Sequence, residues 1–202
     1  DYGANDFVIA TPGNMFIYNV CKRCYAHSYD YTADGGNDIV PGSGSLDDNT
    51  IMYNRFDSCI GVVEIKGNVN NLTVAYNIMT NCGQSFTFQS GNIAANVYNN
   101  CFIETATEMP GQANKVFAGY GSGDAVVVKN NFFWLTNGVG GFSSSTALTH
   151  TYNLYKISGG GSYGVTNSTG EASFSANPWV SQTGAAVDWD YHLNGNVGVA
   201  AG

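Results

Sequence analysis

Charge is scarce in this sequence. Its 202 residues include seven Lys+Arg and fifteen Asp+Glu, so charged residues make up 11% of the chain and the formal net charge is −8. That charged fraction is less than half of the usual share. A chain with so few cations lacks the basic surface that neutralises phosphates, so we predict no nucleic-acid partner.

Long apolar runs and helix-forming stretches are missing too. No run approaches the ~18 apolar residues of a membrane helix, so we predict no membrane span. Gly and Asn are in excess, with 26 and 24 residues that together make a quarter of the chain. Both residues are poor in helix interiors, and the segments between them are rich in β-branched and aromatic residues. The composition therefore predicts a turn-rich, all-β protein.

A short phrase recurs along the chain: an apolar or β-branched run, then Asn, then two residues of which the second is large and apolar in most copies. The anchoring asparagines are Asn19, Asn54, Asn77, Asn100, Asn131 and Asn153. Their spacings are 35, 23, 23, 31 and 22 residues. Three spacings agree within one residue, and the other two equal one period plus insertions of about 12 and about 8 residues.

A period of this length with short strands and no helix predicts a β-solenoid. We expect a single domain over residues 1–202, with about seven or eight coils, insertions near 25–46 and 105–120, and an irregular C-terminal segment at 171–202. Equivalent residues of successive coils stack, so the anchors predict an asparagine ladder in which each side-chain amide bonds to the next. We expect each ladder Asn to adopt the left-handed turn conformation itself.

Cysteines follow the same period. Cys24, Cys59 and Cys82 each stand five residues after an anchor, which predicts an inward column of small residues. Such cysteines are either free thiols or disulfides. We favour free thiols because the ~4.8 Å between strands exceeds the usual Cβ separation of a disulfide.

The Asn-x-apolar phrase at 22–23 residues resembles the right-handed parallel β-helix (pectate-lyase-like) superfamily over residues 14–158. The resemblance implies a right-handed, single-stranded parallel β-helix. Between Asn54 and Phe102, the phrases Arg55-Phe-Asp-Ser-Cys59 and Phe86-Thr-Phe-Gln-Ser-Gly91 are similar to the alginate lyase/chondroitinase B type of polysaccharide lyase.

This narrower resemblance implies β-elimination beside a uronate, which needs Ca²⁺ to neutralise the carboxylate and a base to remove the adjacent proton. Glu64 matches the family's calcium-binding Glu, and Lys66 is the candidate base, although it follows Glu64 by two residues rather than several. The family's Arg-His pair is replaced by Gln89-Ser90. Because neither replacement is cationic, the sequence lacks the charge that stabilises the lyase transition state.

Further acidic residues are candidates outside that motif. Asp188 and Asp190 stand two apart on a predicted strand, where they form either a glycosidase carboxylate pair or solvated edge residues. Asp30, Asp34 and Asp38 lie in a Gly-containing insertion that is either a Ca²⁺ site or a polar loop. Calcium is thus the one cofactor that the sequence suggests.

Two Asn-x-Ser/Thr sequons begin at Asn71 and Asn167, and together with the low charge they predict a secreted protein. His150 stands in a column otherwise held by Phe, Ile and Val, which predicts a packed residue rather than a base. No shared spacing links it to His27 or His192.

Two classes of function fit these observations. We predict a non-catalytic extracellular scaffold that stacks end to end with other copies into fibres or binds surface polysaccharide, because open solenoid ends expose unpaired strands. The alternative is a polysaccharide-degrading enzyme of the β-helix class, either a lyase acting on uronic-acid polymers or a glycosidase.

Overall fold

The computed structural model describes residues 8–9, 12–22, 30–32, 47–59, 61–66, 68–82, 84–90, 92–104, 115–118, 125–136, 140–142, 148–159, 170–173, 179–181 and 190–193. Within these ranges every regular element is a β-strand, as the composition predicted. Nineteen strands form three parallel sheets, and the last two strands form an antiparallel pair.

The three sheets draw on strands at regular intervals along the chain. Sheet 1 contains β1 (Val8–Ile9), β4 (Asp30–Thr32), β7 (Gly61–Lys66), β10 (Gln84–Ser90), β13 (Lys115–Ala118) and β16 (Gly140–Phe142). Sheet 2 contains β2 (Met15–Ile17), β5 (Thr50–Met52), β8 (Val69–Ala75), β11 (Ile93–Tyr98), β14 (Ala125–Lys129) and β17 (Leu148–Thr151). Sheet 3 contains β3 (Val20–Lys22), β6 (Arg55–Asp57), β9 (Ile78–Thr80), β12 (Cys101–Glu104), β15 (Phe132–Leu135), β18 (Leu154–Ile157) and β19 (Ala172–Ser173).

The chain visits sheets 1, 2 and 3 in turn, six times over. We call each set of three consecutive strands, one from each sheet, a rung. Each strand pairs in parallel with the equivalent strand of the next rung, so every rung lies on the one before it. This arrangement is compatible with a parallel β-solenoid.

Register keeps equivalent residues together, as the period predicted. In sheet 3, Phe56 pairs with Met79, Met79 with Phe102, and Phe102 with Phe133, which are the residues two after successive anchors. Side chains alternate clearly along strand β11, whose residues are in turn buried and half-buried. One face of each sheet therefore points inward.

A single buried cluster draws on all three sheets. Its centre is a column of phenylalanine rings with centroid distances of 4.8 Å for Phe86–Phe117, 4.9 Å for Phe102–Phe133 and 5.1 Å for Phe117–Phe142. All five rings are at most 2% exposed. Full burial of such a side chain contributes about 1.5–3 kcal/mol, so this column is a principal source of stability.

The cysteine column contributes to the same core. Cys59 and Cys82 are buried thiols that donate to backbone carbonyls, and among the described cysteines neither these two nor Cys21 and Cys101 form a disulfide. Cys24 lies outside the described residues.

The left-handed residue of each turn is not the ladder Asn, and this corrects our expectation. Positive φ occurs one residue earlier, at Tyr18, Tyr53, Tyr76, Asn99, Asn130, Tyr152 and Gly170, with φ values of 57°, 58°, 56°, 56°, 55°, 54° and 71°. The left-handed residue lies in the turn from sheet 2 into sheet 3, and the Asn that follows it bonds through its amide to the neighbouring rungs.

Three ranges that the sequence set apart contain strands. Parts of the supposed insertions at 25–46 and 105–120 are strands β4 and β13 of sheet 1. The segment at 171–202, expected to be irregular, holds β19 of sheet 3 and the antiparallel strands β20 (Trp179–Ser181) and β21 (Asp190–Leu193).

Candidate functional site

The asparagine ladder runs through the turn between sheets 2 and 3. Asn77 shows the repeating pattern: its Oδ1 accepts hydrogen bonds from the backbone N–H of Asn54 at 2.9 Å and from Asn54 Nδ2 at 3.0 Å. Its own Nδ2 donates to Asn100 Oδ1 at 3.0 Å and to the Ile51 carbonyl at 2.9 Å. Asn54, Asn77, Asn100, Asn131 and Asn153 are all at most 2% exposed. The ladder side chains thus form hydrogen bonds with buried backbone groups that are not paired within the β-sheets.

A glutamate takes the seventh position of the ladder. Glu171 Oε1 accepts from Asn153 Nδ2 at 2.9 Å and lies 2.9 Å from His150 Nδ1. The Glu171 side chain is fully buried, and that of His150 is 12% exposed. His150 also stacks on Phe142, with ring centroids 5.4 Å apart. It is therefore a packed residue with a polar partner.

Sequence reasoning missed Glu171 because it stands 18 residues after Asn153, well short of the period. The sequence feature that could have pointed to Glu171 is the glycine before it. Gly170 occupies the left-handed position that precedes each ladder residue, and glycine adopts that conformation readily. The Tyr152 ring lies where a Cβ of residue 170 would be, so Gly170 also makes room for that ring.

A row of exposed tyrosines runs beside the ladder. We call Tyr18, Tyr53, Tyr76 and Tyr98 the tyrosine stripe. Tyr18 stacks on Tyr53 with centroids 5.1 Å apart and planes 8° apart, and Tyr53 stacks on Tyr76 at 5.2 Å and 13°. Tyr98 meets Tyr76 edge-on at 5.9 Å. Tyr18, Tyr53 and Tyr76 are 73%, 46% and 43% exposed, so the stripe lies on the surface.

The backbone does not favour tyrosine at three of these positions, since Tyr18, Tyr53 and Tyr76 have φ of 57°, 58° and 56°. A left-handed conformation costs a residue with a Cβ about 1–2 kcal/mol, and Asn or Gly adopts it more readily. This chain uses Asn99, Asn130 and Gly170 at the equivalent places of other rungs. Each stacked aromatic pair returns about 0.5–1.5 kcal/mol, which only offsets the backbone cost. Strain of this kind at an exposed row of rings marks a candidate functional site.

One cation lies at the end of the stripe. Lys129 Nζ is 5.9 Å from the centroid of the Tyr98 ring, a cation–π distance. Lys129 is exposed, so its charge is available to a ligand that reaches Tyr98.

The predicted calcium and lyase residues fall in sheet 1. Asp30 of β4 pairs in register with Glu64 of β7. Lys66 pairs with Ser90, one of the two residues that replace the family's Arg-His pair. The structure therefore brings Asp30, Glu64 and Lys66 together along the backbone, and their side chains are not described.

Other predicted residues are scattered or lie outside the described ranges. Asp34, Asp38, Asp188 and Asn167 are outside them, and Asp190 begins β21 opposite Ser181. Across the ranges that are described, no group of three or more His, Cys, Asp or Glu residues is placed to hold a metal ion.

The sequon asparagine Asn71 is exposed in strand β8 with φ of 56°. Its Nδ2 donates to Asp48 Oδ1 at 2.6 Å. The side chain thus has a partner in the preceding rung while it remains accessible from solvent.

A second apolar cluster lies on the outer face of sheet 3. It contains Ile103 and Phe132, with Cys101, Trp134 and Leu154 packed against it. Although Cys101 is half-buried as a residue, desolvation of its thiol raises the pKa to about 12. A thiol with a raised pKa holds its proton more tightly than an ordinary cysteine, which makes it a weaker nucleophile.

Comparison of the chain with protein-family models, with curated proteins and with solved structures gave no match. The resemblance to β-helix lyases therefore stays a prediction, and the class of the protein rests on its geometry: an all-β chain with three parallel sheets. In the part of the chain that is described, no helix has the length and hydrophobicity that a membrane crossing requires.

Proposed function

We propose that this protein is a non-catalytic scaffold of the right-handed parallel β-helix type, and that its tyrosine stripe binds polysaccharide. The cyclic order of the three sheets supports the helix, since each rung returns to sheet 1 through a parallel crossover. Crossovers between parallel strands are right-handed in about 98% of cases, which supports the hand.

The observation that carries the proposed binding function is the row of left-handed, exposed tyrosines Tyr18, Tyr53 and Tyr76 within the stripe. Their rings are stacked with centroids 5.1 and 5.2 Å apart, so one tyrosine follows another along the stack of rungs. A polysaccharide is a linear polymer with repeating C–H faces and hydroxyls, so it can meet successive tyrosines with the same contact. Tyrosine suits this role because it combines an apolar body with a polar tip at low entropy cost.

We propose an extracellular location because the chain has few charged residues and two sequons. One sequon asparagine, Asn71, is exposed. A polysaccharide ligand is consistent with that location.

Substitution of tyrosine by asparagine tests the proposed function, because Asn keeps the left-handed turn that Asn99 and Asn130 already form. Binding of the protein to a panel of neutral and uronic-acid polysaccharides is measured by affinity electrophoresis and calorimetry. We expect Tyr53→Asn and Tyr76→Asn each to weaken binding about tenfold, the loss typical of one aromatic anchor.

Tyr152→Asn is the matched control. Tyr152 is 44% exposed and left-handed, but the rung of Asn130 separates it from the stripe. It should leave affinity unchanged. Absence of binding to every polysaccharide in the panel, or an equal loss in all three variants, would refute the role of the stripe.

The enzyme alternative has one observation in its favour, which is the register that aligns Asp30 with Glu64 and places Lys66 two residues away. A lyase would produce unsaturated uronates, detected by ultraviolet absorbance on alginate, pectate or glycosaminoglycan with calcium. Glu64→Gln and Lys66→Ala should then abolish the signal. No signal on any of these polymers would eliminate the lyase and leave the scaffold proposal intact.

A further inference from the structure

The outer face of sheet 2 carries a row of polar side chains beside the tyrosine stripe. In β5 and β8 the buried residues Ile51 and Val74 point into the core, so their neighbours along each strand point outward. Register aligns one such neighbour per rung, since Thr50 pairs with Thr73 and Thr73 pairs with Asn96. We call Thr50, Thr73 and Asn96 the polar row.

The polar row has hydrogen-bonding groups available to a ligand. All three residues are half-buried, so their side chains reach solvent. Within the part of the chain that the structure describes, none of the three side chains takes part in a hydrogen bond, although their backbones pair within sheet 2. Such hydroxyl and amide groups bond to water, and a ligand that offers equivalent hydrogen bonds can replace that water.

The polar row and the tyrosine stripe run side by side. Thr50 and Thr73 stand three residues before Tyr53 and Tyr76. At about 3.3 Å per residue the two rows are therefore about 10 Å apart, with outward residues such as Met52 between them. An extended sugar chain has a comparable width, with C–H groups on its ring faces and hydroxyls at its margins, so one such chain fits this platform.

Charge is almost absent from the same face. The strands of sheet 2 contain no Asp or Glu, and Lys129 is their single Lys or Arg, in a chain whose formal net charge is −8. An anionic polymer would be repelled by the protein as a whole and would meet one cation on this face. A neutral polymer meets no such repulsion, so the distribution of charge favours an uncharged ligand.

We infer that the ligand of the tyrosine stripe is a neutral polysaccharide, and that it lies along the rungs between the stripe and the polar row. This inference rests on the proposed function. The tyrosines contact the sugar rings, while the polar row exchanges hydrogen bonds with sugar hydroxyls, one residue per rung. The row stops at Val127, the register partner of Asn96, so the bound chain is held over the rungs of β5, β8 and β11.

Thr73→Val tests the polar row, because valine keeps the branched shape and the β-propensity of threonine but has no hydroxyl. The full chain and its variants are titrated with neutral and uronic-acid polysaccharides by calorimetry. We expect Thr73→Val to weaken binding of a neutral polysaccharide about fivefold, the loss of one hydrogen bond.

Thr149→Val is the matched control. Thr149 is exposed and stands in the same register column, but Val127 separates it from the polar row. Its affinity should stay within about twofold of the unaltered protein. Equal effects of Thr73→Val and Thr149→Val would overturn the position of the ligand on sheet 2.

Salt dependence tests the charge of the ligand. Affinity for a neutral polysaccharide should be the same at low and high salt, because no ion pairs form on binding. Tighter binding of uronic-acid polysaccharides, lost at high salt, would overturn the inference. In that case, and in the case of equal threonine variants, weaker binding by Tyr53→Asn would still uphold the proposed function. Absence of binding to every polysaccharide would refute both.

Discussion

Removal of one internal ladder side chain is the most direct test of the structure. In Asn77→Ala, the backbone N–H of Asn54 and one N–H of the Asn54 amide lose their acceptor. The Ile51 carbonyl loses a donor at 2.9 Å. Asn100 Oδ1 keeps the hydrogen bond from the backbone N–H of residue 77, so damage spreads mainly toward the preceding rung.

The expected loss follows from those orphaned groups. A buried donor left without a partner costs about 1–3 kcal/mol, so two donors give about 2–6 kcal/mol. That is a large share of the about 5–15 kcal/mol by which a typical domain is stable. For a chain of this size, each 1 kcal/mol corresponds to about 2–4 °C in Tm.

The first ladder residue provides the control. Asn19 is half-buried, and Asn19→Ala orphans no buried donor, because Asn54 Oδ1 still accepts from the backbone N–H of residue 19 at 2.9 Å. We expect a loss of about 1 kcal/mol or less. Urea denaturation followed by circular dichroism measures both values. Equal losses for the two variants would refute the argument that the ladder stabilises by satisfying buried groups.

Three further outcomes are expected. Phe117→Ala removes a ring that stacks on Phe86 and Phe142, and it should lower the free energy of unfolding by about 3–5 kcal/mol in urea titrations. Because burial raises the pKa of the Cys101 thiol from 9.0 to about 12, the folded state holds this proton more tightly than the unfolded state. The contribution of Cys101 to the free energy of unfolding is therefore intact below pH 9 and is lost as the pH rises toward 12. Cys101→Ala should lessen this alkaline fall in stability. An identical fall in both proteins would contradict the prediction. Gly170→Ala adds a Cβ where the Tyr152 ring lies, at φ of 71°, so it should destabilise by more than the about 1–2 kcal/mol of the backbone conformation. Adding Tyr152→Asn should recover the excess, and no recovery in a double-mutant cycle would show that the ring is not its source.

Much of the fold could be predicted from spacing alone. The interval between anchors predicted the strands of sheets 2 and 3. Each turn between these sheets has backbone groups that need the ladder Asn as a hydrogen-bond partner, so the Asn recurs once in every rung. The apolar column beginning at Phe56 and Met79 followed from the same interval, and the register contains those pairs. Sheet 1 was less predictable, since its strands at β4 and β13 lie within segments whose lengths vary between rungs.

The candidate site was harder to predict, because its tyrosines adopt a left-handed backbone conformation that tyrosine rarely adopts. Asn is the common left-handed residue after Gly, so the sequence favoured a left-handed ladder Asn. The structure instead gives that conformation to Tyr53 and its equivalents, since the ladder needs the Asn amide inside. The tyrosine that precedes Asn19, Asn54, Asn77 and Asn153 was the available signal. Glu171 could not be anticipated by period or residue type, only by contact with Asn153.

The ladder also gives the molecule an electrical polarity. From Asn19 to Asn153 each side-chain amide donates one N–H to the next ladder residue, and from Asn54 onward each Oδ1 accepts from the preceding Asn, so these bonds all run the same way along the stack. As in an α-helix, such a column has a positive pole and a negative pole. Its positive pole meets the buried carboxylate of Glu171, and its negative pole is the amide oxygen of Asn19. The two ends of the ladder therefore differ in the group that they present: a buried carboxyl group that accepts from Asn153 at one end and the amide oxygen of Asn19 at the other.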